Sequence, residues 1–154
     1  MPVLFLDSSA LVKRYVRETG SPWPIQQTNP VTGHMLYVAR ITGVEVVSAI
    51  VRKARAGGLA AVDVANALVD FHADFSGGLS IVEVDAPVVN EAIRLAEKHG
   101  LRAYDAVQLA AALKVKVVPS ATGVVPVTLV SADTDLNTAA KTEGLAVDDP
   151  NEHP

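Results

Sequence analysis

Leu4-Phe5-Leu6-Asp7-Ser8-Ser9-Ala10 is the stretch from which the fold of this chain is read. An apolar run of strand-forming residues ends on a carboxylate, and small hydroxyl residues follow at once. The pattern predicts a buried strand over Val3–Leu6, with Ser8 or Ser9 capping a helix that ends near Val16. Asp7 then stands at the carboxyl end of that strand, where open α/β sheets place their ligands. Three further acids, Glu45, Asp105 and Asp133, fall at comparable positions downstream.

Working outward, Glu18-Thr19-Gly20-Ser21 reads as a stop and a new start, with Ser21 and Pro22 opening a short helix cut off by Pro24 and Asn29-Pro30. A second strand is expected from Met35 to Ala39. Thr42 then opens a helix to about residue 56, Thr42 and Glu45 being spaced as a capping box, and Gly57-Gly58 stops it. Another helix spans about 61–75 and a third strand about 79–84. Asp85 caps the next helix, which tolerates Pro87 in its first turn and ends at Gly100. A helix over 104–114 places Val107, Ala110, Ala111 and Lys114 on one stripe. With two prolines and a glycine, 115–126 reads mostly as loop. Strand 127–130 leads to Ser131-Ala132-Asp133, a helix capped by Asp133 or Thr134 runs to Glu143, and Ala146-Val147 adds a short edge strand.

Strands alternating with helices predict an α/β protein, a three-layer α/β/α sandwich around a mostly parallel sheet of four or five strands. Residues 1–150 form one domain in this reading and 151–154 a polar tail. Right-handed crossovers bring the carboxyl ends of parallel strands to one edge. Asp7 and Asp133 belong to that edge, and Glu45 reaches it from the first turn of its helix. The sequence leaves Asp105 unplaced.

Composition agrees with this class. Hydrophobic residues make up 49% of the 154 but aromatics only 5%, so the core is built from Val, Leu, Ile and Ala, as suits a sheet buried on both faces. No window of eighteen apolar residues suggests a membrane span, and no basic lead or cleavage site suggests a signal peptide, so a cytoplasmic location is expected. The absence of cysteine excludes disulfides and thiolate metal sites. A net charge of −4 offers no global basic footprint for nucleic acid, yet acids gathered in one site lower the total without forbidding a local basic rim.

Four stretches now carry a resemblance. Leu6-Asp7-Ser8-Ser9-Ala10-Leu11-Val12-Lys13-Arg14-Tyr15 resembles the opening motif of PIN-domain nucleases, particularly the VapC toxins of bacterial toxin–antitoxin pairs. Thr42-Gly43-Val44-Glu45-Val46-Val47-Ser48-Ala49 resembles their second motif, Arg102-Ala103-Tyr104-Asp105-Ala106-Val107-Gln108-Leu109-Ala110 the third, and Leu129-Val130-Ser131-Ala132-Asp133-Thr134-Asp135-Leu136 the fourth. Glu143-Gly144-Leu145 and a final strand complete the pattern. Each motif alone is weak, but four in order and spacing are specific. The stretch from Pro22 to Gly33, rich in proline where relatives carry a more regular helix, is the least typical.

The resemblance implies a metal-dependent endoribonuclease using Mg²⁺, with Mn²⁺ as substitute, usually dimeric and held inactive by a cognate antitoxin. Carried over, Asp7, Glu45, Asp105 and Asp133 form the catalytic set, with Asp7, Asp105 and Asp133 as metal ligands and Ser9 and Asp135 as polar support. Clustered carboxylates repel, so a cation that prefers hard oxygen ligands suits them. Each acid also has an ordinary alternative as a helix cap or dipole partner. Lys13, Arg14 and Arg17, with Arg52, Lys53 and Arg55, are candidate RNA contacts or simply solvated helix charges. Two other readings compete. A phosphotransfer or receiver-type domain lacks support, because Ser9 stands where a second aspartate is needed and Val3–Leu6 brings no paired acids. A degenerate PIN fold used only for binding sits poorly with four intact acids.

Overall fold

A computed structural model describes residues 2–18 and 20–153; Met1, Thr19 within the expected break at 18–21, and Pro154 of the expected tail lie outside the described residues. Strands β1 (Val3–Leu6), β2 (Met35–Ala39), β3 (Ser80–Val82), β4 (Val117–Ser120), β5 (Gly123–Val130) and β6 (Ala146–Asp148) alternate with helices α1 (Ser8–Tyr15), α2 (Pro22–Gln27), α3 (Thr42–Arg55), α4 (Ala61–Gly77), α5 (Ala86–His99), α6 (Ala103–Lys114) and α7 (Thr134–Thr142). The sheet runs β3-β2-β1-β5, with β6 parallel on the far side of β5 and β4 joined to it as an antiparallel hairpin. Among the described residues the sheet therefore has six strands, where four or five were expected.

The additional strand comes from 117–126, expected as loop. Val117 opposes Pro126 and Pro119 opposes Val124, so both prolines sit inside a ladder. Proline is tolerated where a peptide has no ladder partner for an N–H: Pro119 lies on edge strand β4, and Pro126 lies in the part of β5 that pairs with β4 alone.

Side chains of β1 alternate between the faces, as strand geometry requires. Val3 and Phe5 join the core under α5, α6 and α7, together with Leu95, Leu109, Leu129 and Leu136. Leu4 and Leu6 join the core under α1, α3 and α4, with Leu11, Val46, Ile50 and Phe71. Both faces are thus covered, which accounts for the aliphatic composition. On α6 the buried face centres on Ala106, Leu109 and Ala110, while Lys114 of the expected stripe is exposed and paired with Asp85 at 2.7 Å.

Two helix ends follow their local residues. Asp85 caps α5 through the Val88 N–H (3.1 Å), and Gly100 ends it at φ +66°. Gly20, at φ +79°, is also obligatory: a Cβ there would lie 2.4 Å from the Pro150 carbonyl oxygen. The short helical turn Pro150–Glu152 thus lies on the link between α1 and α2, and His153 stacks on Trp23 of α2 with ring centres 4.5 Å apart. His153 also contacts Asp148 (2.7 Å), so the expected tail returns to the fold through His153 while Asn151 and Glu152 stay exposed.

Candidate active site

Asp7 emerges from β1 with its N–H on the Val130 carbonyl of β5 (3.1 Å). It is itself the cap of α1, in place of the expected Ser8 or Ser9: its Oδ1 accepts from the Ala10 N–H at 3.0 Å. The hydroxyls are used otherwise. Ser9 Oγ donates to Asp7 Oδ1 (2.7 Å) and accepts the Ala132 N–H (2.9 Å), tying the end of β1 to the end of β5. Ser8 Oγ donates to Glu45 Oε2 (3.0 Å). Asp7 is 2% exposed, and burial pushes its carboxyl up to about 7 against the pull of hydrogen bonds from Ser9, Ala10 and Ser131.

Ser131, fully buried, is the hinge between the two strand-end aspartates. Its Oγ donates to Asp7 Oδ2 (3.0 Å) and accepts the Asp133 N–H (3.1 Å). Asn137 Nδ2 holds the Ser131 carbonyl (2.8 Å), and the Ser131 N–H bonds the Asp148 carbonyl (3.1 Å). Asp133 caps α7 through the Leu136 N–H at 2.9 Å. Capping and site membership are compatible, since the capping bond uses only Oδ1.

Glu45 lies in the first turn of α3, but the capping box does not form. Ile41 occupies the cap position without a side-chain bond, and Thr42 Oγ1 instead accepts from Gln108 Nε2 (2.8 Å). The other Nε2 proton of Gln108 goes to Glu45 Oε1 (2.7 Å). Glu45 is therefore gripped from both sides, by α1 through Ser8 and by α6 through Gln108.

Asp105, unplaced by sequence, lies in the first turn of α6 and faces the same cluster. Burial first, then the charges of Asp133 and Glu45, push its carboxyl up to about 6; Asp135 adds to this and Arg102 opposes it. The charge of Asp105 in turn helps to raise Asp7. The four acids thus meet at the carboxyl edge of the sheet, with exposed Asp135 at the rim. Among the described residues no three such side chains form a ready-made cage for an ion.

The basic residues lie elsewhere on the same helices. Lys13 and Arg14 are in the last turn of α1, and Arg52, Lys53 and Arg55 in the last turn of α3. That is roughly 10–15 Å along each helix from the acids. Arg14 bonds Asp74 (2.9 Å) and Thr28 (2.7 Å), Lys13 meets Glu18 at 3.4 Å, and Lys53 meets Glu18 at 3.6 Å. Arg17 and Arg52 are exposed. Arg102, directly before α6 and read from sequence only as a partner for Asp105, does act on that carboxyl, while Arg40, just past β2, is paired with Glu83 and escaped the sequence reading. The hydrogen-bonding roles of Ser8, Ser131, Gln108 and Asn137 around the acids escaped it too. Only Gln108 left a mark, as the lone polar residue in the apolar run 106–113.

Comparisons with known proteins agree with this architecture. A family model described as the PIN domain matches residues 4–142. Ribonuclease VapC45 of Mycobacterium tuberculosis is 36% identical over 115 residues, 75% of this chain and 78% of the relative. Among solved structures, PAE2754 of Pyrobaculum aerophilum superposes with a TM-score of 0.66 at 23% identity, covering 99% of this chain and 93% of that one. A chain of a toxin–antitoxin complex from Klebsiella pneumoniae gives 0.57 at 14% identity, over 85% and 87%. No helix among the described residues is long and apolar enough to cross a membrane.

Proposed function

This chain belongs to the PIN-domain family, and from that premise we propose that it is an endoribonuclease dependent on Mg²⁺ or Mn²⁺, the toxin of a toxin–antitoxin pair. The observation that carries the reading is the meeting of Asp7, Glu45, Asp105 and Asp133, from four separate elements, at one strand edge, with the carboxyls of Asp7 and Asp105 pushed up. A protein gains nothing in stability from such a cluster. A divalent cation relieves it.

The donor set fits a hard cation. Mg²⁺ commonly takes one or two carboxylates and keeps several waters, so a cage of three acids is not required. Asp7 and Asp105 would hold it, with Asp133 joining directly or through water. An ion bound there would orient the scissile phosphate and stabilise the charge that develops on it. Glu45, whose two oxygens accept hydrogen bonds from Ser8 and Gln108, would hold a metal-bound water or assist its proton transfer. The water oxygen bonds to phosphorus as the bond to O3′ breaks; the 3′ oxygen leaves with a proton from solvent, giving a 5′-phosphate and a 3′-hydroxyl. Exposed Arg17 and Arg52, with Arg102 nearer the acids, would meet the RNA backbone. The cognate antitoxin would cover the acidic edge with a basic side chain, as charge complementarity favours. A homodimer acting in the cytoplasm completes the proposal.

Purified protein free of any partner, incubated with structured RNA and Mg²⁺, Mn²⁺ or EDTA, tests it. Cleavage that needs the metal and disappears in folded Asp7→Asn and Asp105→Asn variants is expected. Cleavage insensitive to EDTA, or retained in both variants, would overturn it.

A further inference from the structure

Gln108 is 1% exposed and sits mid-helix on α6 between Val107 and Leu109, where packing alone calls for an apolar side chain. Both protons of its amide nitrogen are committed, one to Thr42 Oγ1 at 2.8 Å and one to Glu45 Oε1 at 2.7 Å. Its Oε1 is buried without a hydrogen-bond partner among the described residues. Burying a polar atom without a partner destabilises the fold, a penalty that an apolar side chain of equal length would avoid. Flipping the amide offers no escape, because it would aim the oxygen at the Glu45 carboxylate. The unpaired oxygen is therefore tolerated for what the nitrogen does.

What the nitrogen does is geometric. Gln108 lies one turn along α6 from Asp105, on the same side of the helix. Its bond to Glu45 fixes the carboxylate of α3 relative to the carboxylate of α6, while Ser8 fixes the other Glu45 oxygen relative to α1. We propose that Gln108 is a positioning residue that sets the plane and the distance of Glu45 with respect to Asp105. The proposal rests on the endoribonuclease reading for its consequence in turnover, but its effect on cation binding is independent of RNA.

Four proteins decide it: wild type, Gln108→Met, Glu45→Gln and the double variant. For each, kcat and KM on the cleaved RNA and the Mn²⁺ dissociation constant without RNA are measured, with thermal unfolding as a control for folding. Gln108→Met is expected to lower kcat about 10- to 100-fold with KM changed by less than about twofold. It is also expected to weaken Mn²⁺ about 3- to 10-fold in the wild-type background and less than about 1.5-fold when Glu45 is already Gln. Equal weakening of Mn²⁺ in both backgrounds would overturn the proposal, as would a raised KM with kcat intact. If wild type binds Mn²⁺ yet cuts no RNA, the endoribonuclease reading falls alone and the binding cycle still decides the role of Gln108. A wild type that binds no Mn²⁺ ends both.

Discussion

At the start of α7, Asp133 lies within electrostatic reach of Asp105, which also feels Glu45, whereas at the end of that helix Glu143 is gripped by Arg94 at 2.7 Å and Lys98 at 3.0 Å. Nine residues of helix separate the same chemical group in opposite circumstances. The hydrogen bond from Arg94 leads in holding the Glu143 carboxyl down to about 2, while burial and neighbouring acids lift Asp105 to about 6 and burial lifts Asp7 to about 7. The same contrast runs along α1, from Asp7 at one end to Arg14 and its partner Asp74 at the other. Carboxylates kept for structure are supplied with cations by the fold. Those at the strand edge have hydrogen-bond donors and only Arg102 nearby, and under the proposed function a cation from outside would join them.

The contrast is broken most severely by Asp7→Asn. Asparagine caps a helix nearly as well as aspartate, so folding should survive. Metal-dependent cleavage should fall at least about a hundredfold, read from initial rates on RNA. The next effect is on stability without metal. A carboxyl raised in the fold favours the protonated state, so its contribution is fully present below about 3.8 and is lost as pH rises through about 7. At about 1.4 kcal/mol per pH unit, the loss is a few kcal/mol. In EDTA, Asp7→Asn should therefore unfold at a higher temperature than wild type, with a gap that widens from pH 4 to 7 and narrows when Mn²⁺ is added.

At the paired ends the expectations are smaller and opposite in sign. Asp74→Ala strands Arg14 and the Tyr15 hydroxyl, which donates to Asp74 at 2.7 Å. It should cost about 2 kcal/mol in urea unfolding and leave metal affinity unchanged. Glu143→Gln should cost about 1 kcal/mol, less at high salt, again with cleavage intact. In wild type the Glu143 contribution is present above the usual carboxylate range and is lost as pH falls toward 2. Loss of cleavage in either variant would erase the distinction between the two kinds of carboxylate.

Local chemistry made much of this fold legible. Asp85 with Gly100, and Asp133 before α7, are caps whose partners lie within a few residues, so their reading held. Strands β1, β2 and β6 were equally local in their patterns. Where partners come from far along the chain, the reading failed. Thr42 and Glu45 have the spacing of a capping box, yet both are taken by Gln108, more than sixty residues away. Asp7 displaced Ser8 and Ser9 as cap because a carboxylate already lay at the strand end, freeing the hydroxyls to bind Glu45 and Ala132. The hairpin of β4 and β5 was hidden by prolines that exclude a residue only from interior ladders. Asp105 was recognised by its motif alone; tertiary packing of α6 places it.

The stack of His153 on Trp23 has a practical consequence. Trp23 is the only tryptophan of the chain, so its emission follows the seating of residues 150–153 on α2, whereas circular dichroism follows the helices as a whole. Were the fluorescence transition to precede the dichroic one, the terminal turn would be a separate opening unit, released below the global free energy. Two residues inward from Pro150 lies Asp148, whose carbonyl accepts the Ser131 N–H. Fraying of residues 150–153 would then reach the strand edge through one hydrogen bond, and one fluorophore would register it.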